Sequence, residues 1–207
     1  MVGRVKTLIL AEKPSVAYFL IGTVTYLPVR LLFRLSARGL ENVPAEGGAV
    51  LAANHNSNLD PWPLGLPLFP RRWLRFMAKS ELYWFPLKYL LTAAGAFQVR
   101  RGEGDTEAIR TAVELCRGGE IVVMFPEGTR RRKGLRKTRE ARAHSGAARI
   151  AREAGVPLVP AAIRGTDRLS RLGPFRVVYG EPVAVGDDPL ETTDRLMAAI
   201  DSLEATL

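Results

Sequence analysis

Ala49-Val50-Leu51-Ala52-Ala53-Asn54-His55-Asn56-Ser57-Asn58-Leu59-Asp60-Pro61 is the stretch that decides the fold class of this 207-residue chain. Its first five residues are an unbroken apolar run, as in a strand covered on both faces, which is the habit of parallel sheets. A polar loop follows, and Asp60-Pro61 reads as the N-cap and first position of a helix. Strand, polar loop and helix in succession form the repeating unit of α/β folds, which place ligands at the C-terminal ends of their strands.

Outward from this stretch the same alternation continues. Strands are expected at Ala49–Ala53, Leu74–Ala78, Ala96–Val99, Ile121–Phe125, Leu158–Ile163 and Arg176–Tyr179. Between them, Asp105 starts a helix that carries Ile109, Val113 and Cys116 on one side and stops at Gly118. A second helix spans Gly146 to Ala154, closed by Gly155. The last begins near Asp188-Pro189 or Thr193 and aligns Leu196, Met197, Ile200 and Leu203. The expectation is a single α/β domain with a largely parallel or mixed central sheet flanked by helices, over residues 37–207.

Residues 1–36 are expected to be a membrane-associating helical segment. Val16 to Val29 is free of charge, but fourteen helical residues reach only about 21 Å against a hydrocarbon core of about 30 Å. Pro28 and Arg30 interrupt any clean extension. An interfacial helix or a shallow helical pair is favoured over a tilted span or a core helix. Arg30, Arg34 and Arg38 on its C-terminal flank suit anionic lipid at the cytoplasmic face of the cell membrane, as for a peripheral or monotopic protein.

Composition narrows the chemistry. The net charge is +9, and eight of the thirteen residues from Arg130 to Arg142 are Arg or Lys. Such a field attracts phosphate, whether of a lipid, a nucleic acid or a small substrate. No aromatic residue interleaves with the run and no nucleic-acid motif accompanies it, so nucleic acid is not expected as a partner. The two histidines exclude most histidine-based metal sites. The single cysteine cannot form an internal disulfide and is expected to be a buried, inert thiol.

Two segments carry chemistry. In the loop Asn54–Pro61, Asp60 can fold back on His55 so that its carboxylate takes one imidazole N–H, leaving the other nitrogen as a base. The same spacing also fits a capping Asp beside a surface His. Phe125-Pro126-Glu127-Gly128-Thr129-Arg130 ends another buried strand. Its Gly lets backbone approach a ligand, Thr offers a hydroxyl, and Arg offers a fork matched to phosphate. A charged turn has the same composition. Gly95-Ala96-Phe97-Gln98-Val99-Arg100-Arg101 adds arginines at a third strand end. Gly155-Val156-Pro157-Leu158-Val159-Pro160 reads as a helix stop leading into a strand, hence architecture or an acyl-chain wall.

Taken in this order, the four segments resemble the lysophospholipid acyltransferase family, specifically bacterial 1-acyl-glycerol-3-phosphate acyltransferases, from about Leu40 to Val185. The resemblance implies that His55 is the catalytic base and that Asp60 orients it. It also implies that Arg101 and the block Phe125, Pro126, Glu127, Gly128, Thr129 and Arg130 bind the acceptor's glycerol phosphate. Membrane association through an N-terminal helical segment is usual in that family. Relatives typically continue with Phe-Lys-x-Gly, where this chain has Ala143-His144-Ser145-Gly146. The implied reaction transfers an acyl group from a thioester donor, acyl-CoA or acyl carrier protein, to a lysophospholipid acceptor, lysophosphatidic acid, to make phosphatidic acid. No bound cofactor and no metal are called for. Backbone amides near the His55 loop are candidate oxyanion donors. Ser57 is the rival nucleophile of an acyl-enzyme route, disfavoured because it shares a short loop with its base and lacks a Gly-x-Ser-x-Gly elbow. A sibling enzyme with another acceptor (glycerol-3-phosphate, another lysophospholipid or a glycolipid) and a non-catalytic anionic-lipid-binding protein are the remaining alternatives.

Overall fold

A computed structural model describes residues 14, 16–79, 83–99, 105–128 and 143–207. Six α-helices are described, α1 (Val16–Leu32), α2 (Pro61–Gly65), α3 (Leu87–Ala93), α4 (Asp105–Arg117), α5 (Gly146–Ala154) and α6 (Pro189–Ala205). The strands are β1 (Ser36–Arg38), β2 (Ala49–Ala53), β3 (Leu74–Lys79), β4 (Ala96–Val99), β5 (Ile121–Met124), β6 (Leu158–Arg164) and β7 (Arg176–Tyr179). They form one sheet in the order β1-β7-β6-β2-β5-β3-β4. From β6 to β4 all neighbours are parallel; β7 runs antiparallel to β6, and β1 runs parallel to β7. The expected α/β domain with a mostly parallel mixed sheet is what the chain forms.

Burial on both faces explains the unbroken apolar runs. All five residues of β2 are buried. Ala49, Leu51 and Ala53 face one cluster with Leu64, Leu68, Leu74, Ile163 and Tyr179. Val50 and Ala52 face the other, with Phe97, Ile109, Val113, Cys116, Ile150, Leu196 and Ile200 from α4, α5 and α6 and the sheet. Each fully buried Leu or Ile here removes a side chain from water for about 1.5–3 kcal/mol. Gly155 closes α5 in the left-handed conformation at φ 68°, and Asp188 caps α6 by accepting from Leu190 N. Cys116 Sγ donates to Ala49 O, and burial pushes its thiol up to about 12, so the expected inert cysteine is what forms.

Several expectations are corrected. β1 was not foreseen, because three polar-edged residues at a sheet margin carry no apolar signal. Neither was α3, a helix of seven residues with no buried residue to impose a period. β5 ends at Met124, one residue earlier than expected, which releases Phe125 from the ladder. Pro28 does not interrupt the first helix, which runs from Val16 to Leu32. The N–H that proline lacks would have gone to Val24, an exposed residue whose carbonyl water can serve.

α1 lies against the domain along one side. Gly22 lets it approach Phe69 so closely that an added Cβ would sit 2.4 Å from the ring. Val29 joins Leu66 and Phe175 in a buried cluster, Phe33 stacks on Phe175 at 4.4 Å, and Trp62 Nε1 donates to Thr25 Oγ1 at 3.3 Å. The opposite side presents Val16, Leu20, Val24, Leu27 and Leu31, each more than half exposed. At 17 residues the helix is about 25 Å long. Among the described residues no helix is long and apolar enough to cross a membrane.

Candidate active site

Three adjacent parallel strands, β6, β2 and β5, end side by side, and the chain leaving each one contributes to a single polar cluster. β2 leads into Asn54–Asp60, β5 into the turn Phe125–Gly128, and β6 into Gly165-Thr166. Parallel pairing is the reason that motifs far apart in sequence meet, since it aligns all three C-terminal ends on one edge.

His55 and Asp60 are in contact: His55 Nδ1 lies 2.8 Å from Asp60 Oδ2. The carboxylate is fully buried while the imidazole keeps 17% of its side-chain surface. The same Oδ2 accepts from Asn56 N at 2.7 Å and from Ser57 N at 2.8 Å. Thr166 Oγ1 donates to Oδ1 at 2.5 Å. A buried carboxylate needs its lone pairs filled, and four donors do so here. With Nδ1–H given to Asp60, Nε2 is the acceptor nitrogen of a ring that stays partly exposed.

Two expectations about this loop are revised. Asp60 does not cap α2 with its side chain; its backbone is helical at φ −51°, ψ −41° with no capping bond. The carboxylate instead folds back to the loop, because three donors there outbid the orphan helix amides. For the same reason the amides of Asn56 and Ser57 are not free to hold an oxyanion. Ser57 Oγ accepts from Leu59 N at 3.2 Å; among the described residues His55 Nδ1 bonds Asp60, not Ser57.

A clamp behind the loop fixes its position. Asn54 is fully buried and pairs twice with the backbone of Ile163, donating to its O at 3.0 Å and accepting from its N at 2.8 Å. Asn56 Nδ2 donates to the same O at 2.9 Å. The loop after β2 is thereby tied to the end of β6. Asn54, Asn56 and Thr166 carry no role expected from the sequence, where the segment leading into β6 reads as architecture or an acyl-chain wall. The available signal was a hydroxyl residue just past a strand end.

From the second block, Phe125 stacks on the His55 imidazole with centroids 4.1 Å apart and planes 20° from parallel. The flat contact fixes the ring plane and covers one of its faces. Gly128 N closes the turn on Phe125 O at 3.0 Å, and Pro126 O accepts from His144 N at 2.9 Å. Gly128 has φ +67°, a conformation that favours glycine, and an added Cβ would meet the His144 ring at 2.6 Å, so that side chain would have to move aside. Glu127 is half-buried in the same turn. Of the remaining expected site residues, Arg101, Thr129 and Arg130 lie outside the described residues, as does the run Arg130–Arg142. β4, which precedes Arg101, runs parallel to β3, so its C-terminal end faces the same edge.

Loss of the Thr166 hydroxyl tests the support for Asp60. Thr166→Val keeps shape and removes one donor from a buried carboxylate, so the protein should lose about 1–3 kcal/mol of unfolding free energy. Thr166→Ser should retain most of it. Equal stability of the valine variant and the native protein in denaturant titration would contradict the contact.

Comparison with known proteins adds to this geometry. The sequence profile of the family described as Acyltransferase matches residues 34–164. A 1-acyl-sn-glycerol-3-phosphate acyltransferase of Bacillus subtilis (strain 168) is 35% identical over 170 residues, covering 79% of this chain and 81% of that protein. A chloroplastic 1-acyl-sn-glycerol-3-phosphate acyltransferase of Arabidopsis thaliana is 28% identical over 145 residues, which cover 68% of this chain and 39% of the plant protein. In fold, the chain is similar to the crystal structure of the 1-acyl-sn-glycerophosphate acyltransferase PlsC from Thermotoga maritima. The TM-score is 0.64 at 24% identity, with 91% of this chain and 78% of that one covered.

Proposed function

The chain belongs to the acyltransferase family, and from that premise we propose that it transfers a fatty acyl group from a thioester to the free hydroxyl of lysophosphatidic acid, making phosphatidic acid. The observation that carries this reading is the His55–Asp60 pair, held at 2.8 Å beneath a phenylalanine of the second block. One constellation thus unites two of the four segments on which the family resemblance rests.

The steps follow from bonding. Nε2 of His55 takes the hydroxyl proton as the alcohol oxygen attacks the thioester carbonyl, and Asp60 stabilises the imidazolium without accepting its proton. The tetrahedral intermediate collapses, the C–S bond breaks, and the sulfur leaves, taking the proton back from Nε2. A thiol of pKa about 8.5 leaves readily, so the weak partner is the alcohol and general-base help at that oxygen matters most. Ser57, whose amide is committed to Asp60 and whose Oγ accepts from Leu59 N, stays outside this scheme. Arg101, Glu127, Gly128, Thr129 and Arg130 are assigned to the acceptor's glycerol phosphate on the strength of the resemblance. The donor is acyl-CoA or acyl carrier protein, and the chemistry needs no redox or metal partner.

A lipid acceptor has to be met at a membrane. The exposed stripe of α1 supports a peripheral association with the cytoplasmic face, apolar side chains inserted among the acyl chains and Arg30 near the headgroups. The pair Leu20→Glu and Leu27→Glu changes only exposed positions. It should abolish cosedimentation with anionic vesicles, and unchanged pelleting would refute the assignment.

Acceptor choice tests the function itself. Purified protein supplied with acyl-CoA, or with acyl carrier protein as donor, is offered lysophosphatidic acid, glycerol-3-phosphate and lysophosphatidylcholine in competition. Preferential formation of phosphatidic acid is expected. Preference for either other acceptor would place the chain with a sibling enzyme, and vesicle binding with no transfer would make it a lipid-binding protein.

A further inference from the structure

We infer that Trp84, Phe85, Tyr89 and Leu90, at the start of α3 and on its exposed side, form a second lipid-inserting patch that docks on an anionic bilayer together with α1. This surface rests on the proposed transfer to a lipid acceptor, which has to be met at a membrane.

Apolar exposure is concentrated in two places. Among the described residues, eleven of the fifteen large hydrophobic side chains that stand open to solvent belong either to α1 or to this patch. Trp84, Phe85, Tyr89 and Leu90 are each more than half exposed. α3 buries none of its residues, so packing within the domain does not account for this surface. Phe85 and Tyr89, one helical turn apart, meet edge to face at 6.2 Å, and Lys88 Nζ lies 5.0 Å from the centre of the Tyr89 ring. From Tyr83 to Val99, Lys88 is the only charged residue, and no carboxylate is present. Aromatic rings beside an ammonium suit the bilayer interface, where rings settle at headgroup level and cations meet lipid phosphate.

The patch belongs to the same side of the sheet as α1. The connections β2–α2–β3 and β3–α3–β4 join parallel strands and step in the same direction along the sheet. Right-handed crossovers therefore put α2 and α3 on one face. α1 packs on that face, with Thr25 bonded to Trp62 of α2 at 3.3 Å and Gly22 against Phe69. α4, α5 and α6 cover the other face. The two surfaces also share a neighbour. The Tyr18 ring of α1 lies 5.9 Å from the Trp73 ring. Gly95, whose N donates to Thr92 O at the end of α3, approaches the same indole so closely that an added Cβ would be 2.8 Å from Nε1. With one side and one neighbour in common, the exposed stripe of α1 and the patch can enter a single bilayer surface. Two points of insertion fix the tilt of the domain as well as its attachment.

The test uses the whole chain and vesicles of phosphatidylglycerol and phosphatidylcholine in equal parts. Cys116 is buried, so an environment-sensitive dye attaches selectively at Tyr89→Cys, at Leu20→Cys on α1, or at Ala198→Cys, an exposed position of α6 on the other face. Vesicles should shift the dye to the blue at positions 89 and 20, brominated acyl chains should quench it there, and position 198 should show neither. The pair Trp84→Ser and Phe85→Ser changes only exposed side chains. It should weaken vesicle binding about 10- to 100-fold, with kcat on a short-chain, monomeric lysophosphatidic acid within about threefold of native. An unshifted dye at 89 beside a shifted one at 20, or native vesicle affinity in the paired variant, would overturn the patch and leave the proposed function untouched. A shift at 89 without vesicles, accompanied by a dimer in light scattering, would overturn it in favour of a face between two copies. Insertion at 89 with no acyl transfer to lysophosphatidic acid would instead overturn the proposed function and support the patch.

Discussion

Replacement of His55 by alanine is expected to lower acceptor-dependent turnover at least ~10²-fold while leaving the KM for lysophosphatidic acid nearly unchanged. The size follows from the work the ring does. Without Nε2 the alcohol must lose its proton to water as it attacks, and positioned general bases ordinarily contribute about 10²- to 10⁴-fold. Binding should survive because the loop does not depend on the ring. Asn54 and Asn56 hold it to Ile163, and Asp60 keeps the amides of Asn56 and Ser57 and the Thr166 hydroxyl. Steady-state kinetics on the purified variant, with its unfolding curve measured alongside, separate the cases. A loss below tenfold in a well-folded variant would remove His55 as the base and leave His144, the other histidine of the chain, as the group to examine.

Asp60→Asn carries the second large effect, expected at about 10²-fold in kcat. The amide can satisfy the loop in only one orientation. Its oxygen must take the place of Oδ2, where His55 Nδ1 and the amides of Asn56 and Ser57 converge. Its NH2 then faces Thr166 Oγ1, which can turn and accept. The tautomer of His55 is preserved in this arrangement, so the loss isolates the negative charge that stabilises the imidazolium. Asp60→Ala should do more damage. Two loop amides and a buried hydroxyl lose their acceptor, at about 1–3 kcal/mol for each group left unpaired. An asparagine variant with native kcat would mean that the carboxylate serves only the architecture of the loop.

The sheet was legible wherever burial writes a pattern. β2, with every residue buried, appears in the sequence as an unbroken apolar run, as do Ile121–Met124 of β5 and the buried part of β6 that precedes its exposed Arg164. Gly155 and Asp188 marked helix ends through backbone requirements that a single residue meets. Elements without such a requirement left no trace. α3 buries none of its residues, and β1 owes its existence to pairing with β7, a contact that no local pattern encodes.

Of the candidate site, the pairing of His55 with Asp60 was readable because both lie on one short loop. The contact of Phe125 with His55 and that of Thr166 with Asp60 depend on strand order. β6, β2 and β5 must be neighbours and parallel before either contact exists, and order is a tertiary property. The capping role expected of Asp60 failed for a related reason. A local rule assigned its carboxylate to the helix that follows, whereas Thr166, more than one hundred residues away, and two loop amides provide a fuller set of donors.

The central claim is that the His55–Asp60 pair drives direct attack of the lysophospholipid hydroxyl on a thioester. It is tested most directly by following free thiol and phosphatidic acid in one time course, with acyl-CoA and then acyl carrier protein as donor, with and without lysophosphatidic acid. Cys116 is buried, its thiol pushed up to about 12, so the protein adds no thiol signal of its own while folded. The account predicts no release without the acceptor and, with it, thiol and phosphatidic acid appearing in equal amounts. Release that does not depend on lysophosphatidic acid, or an acyl group retained covalently on the protein, would contradict it.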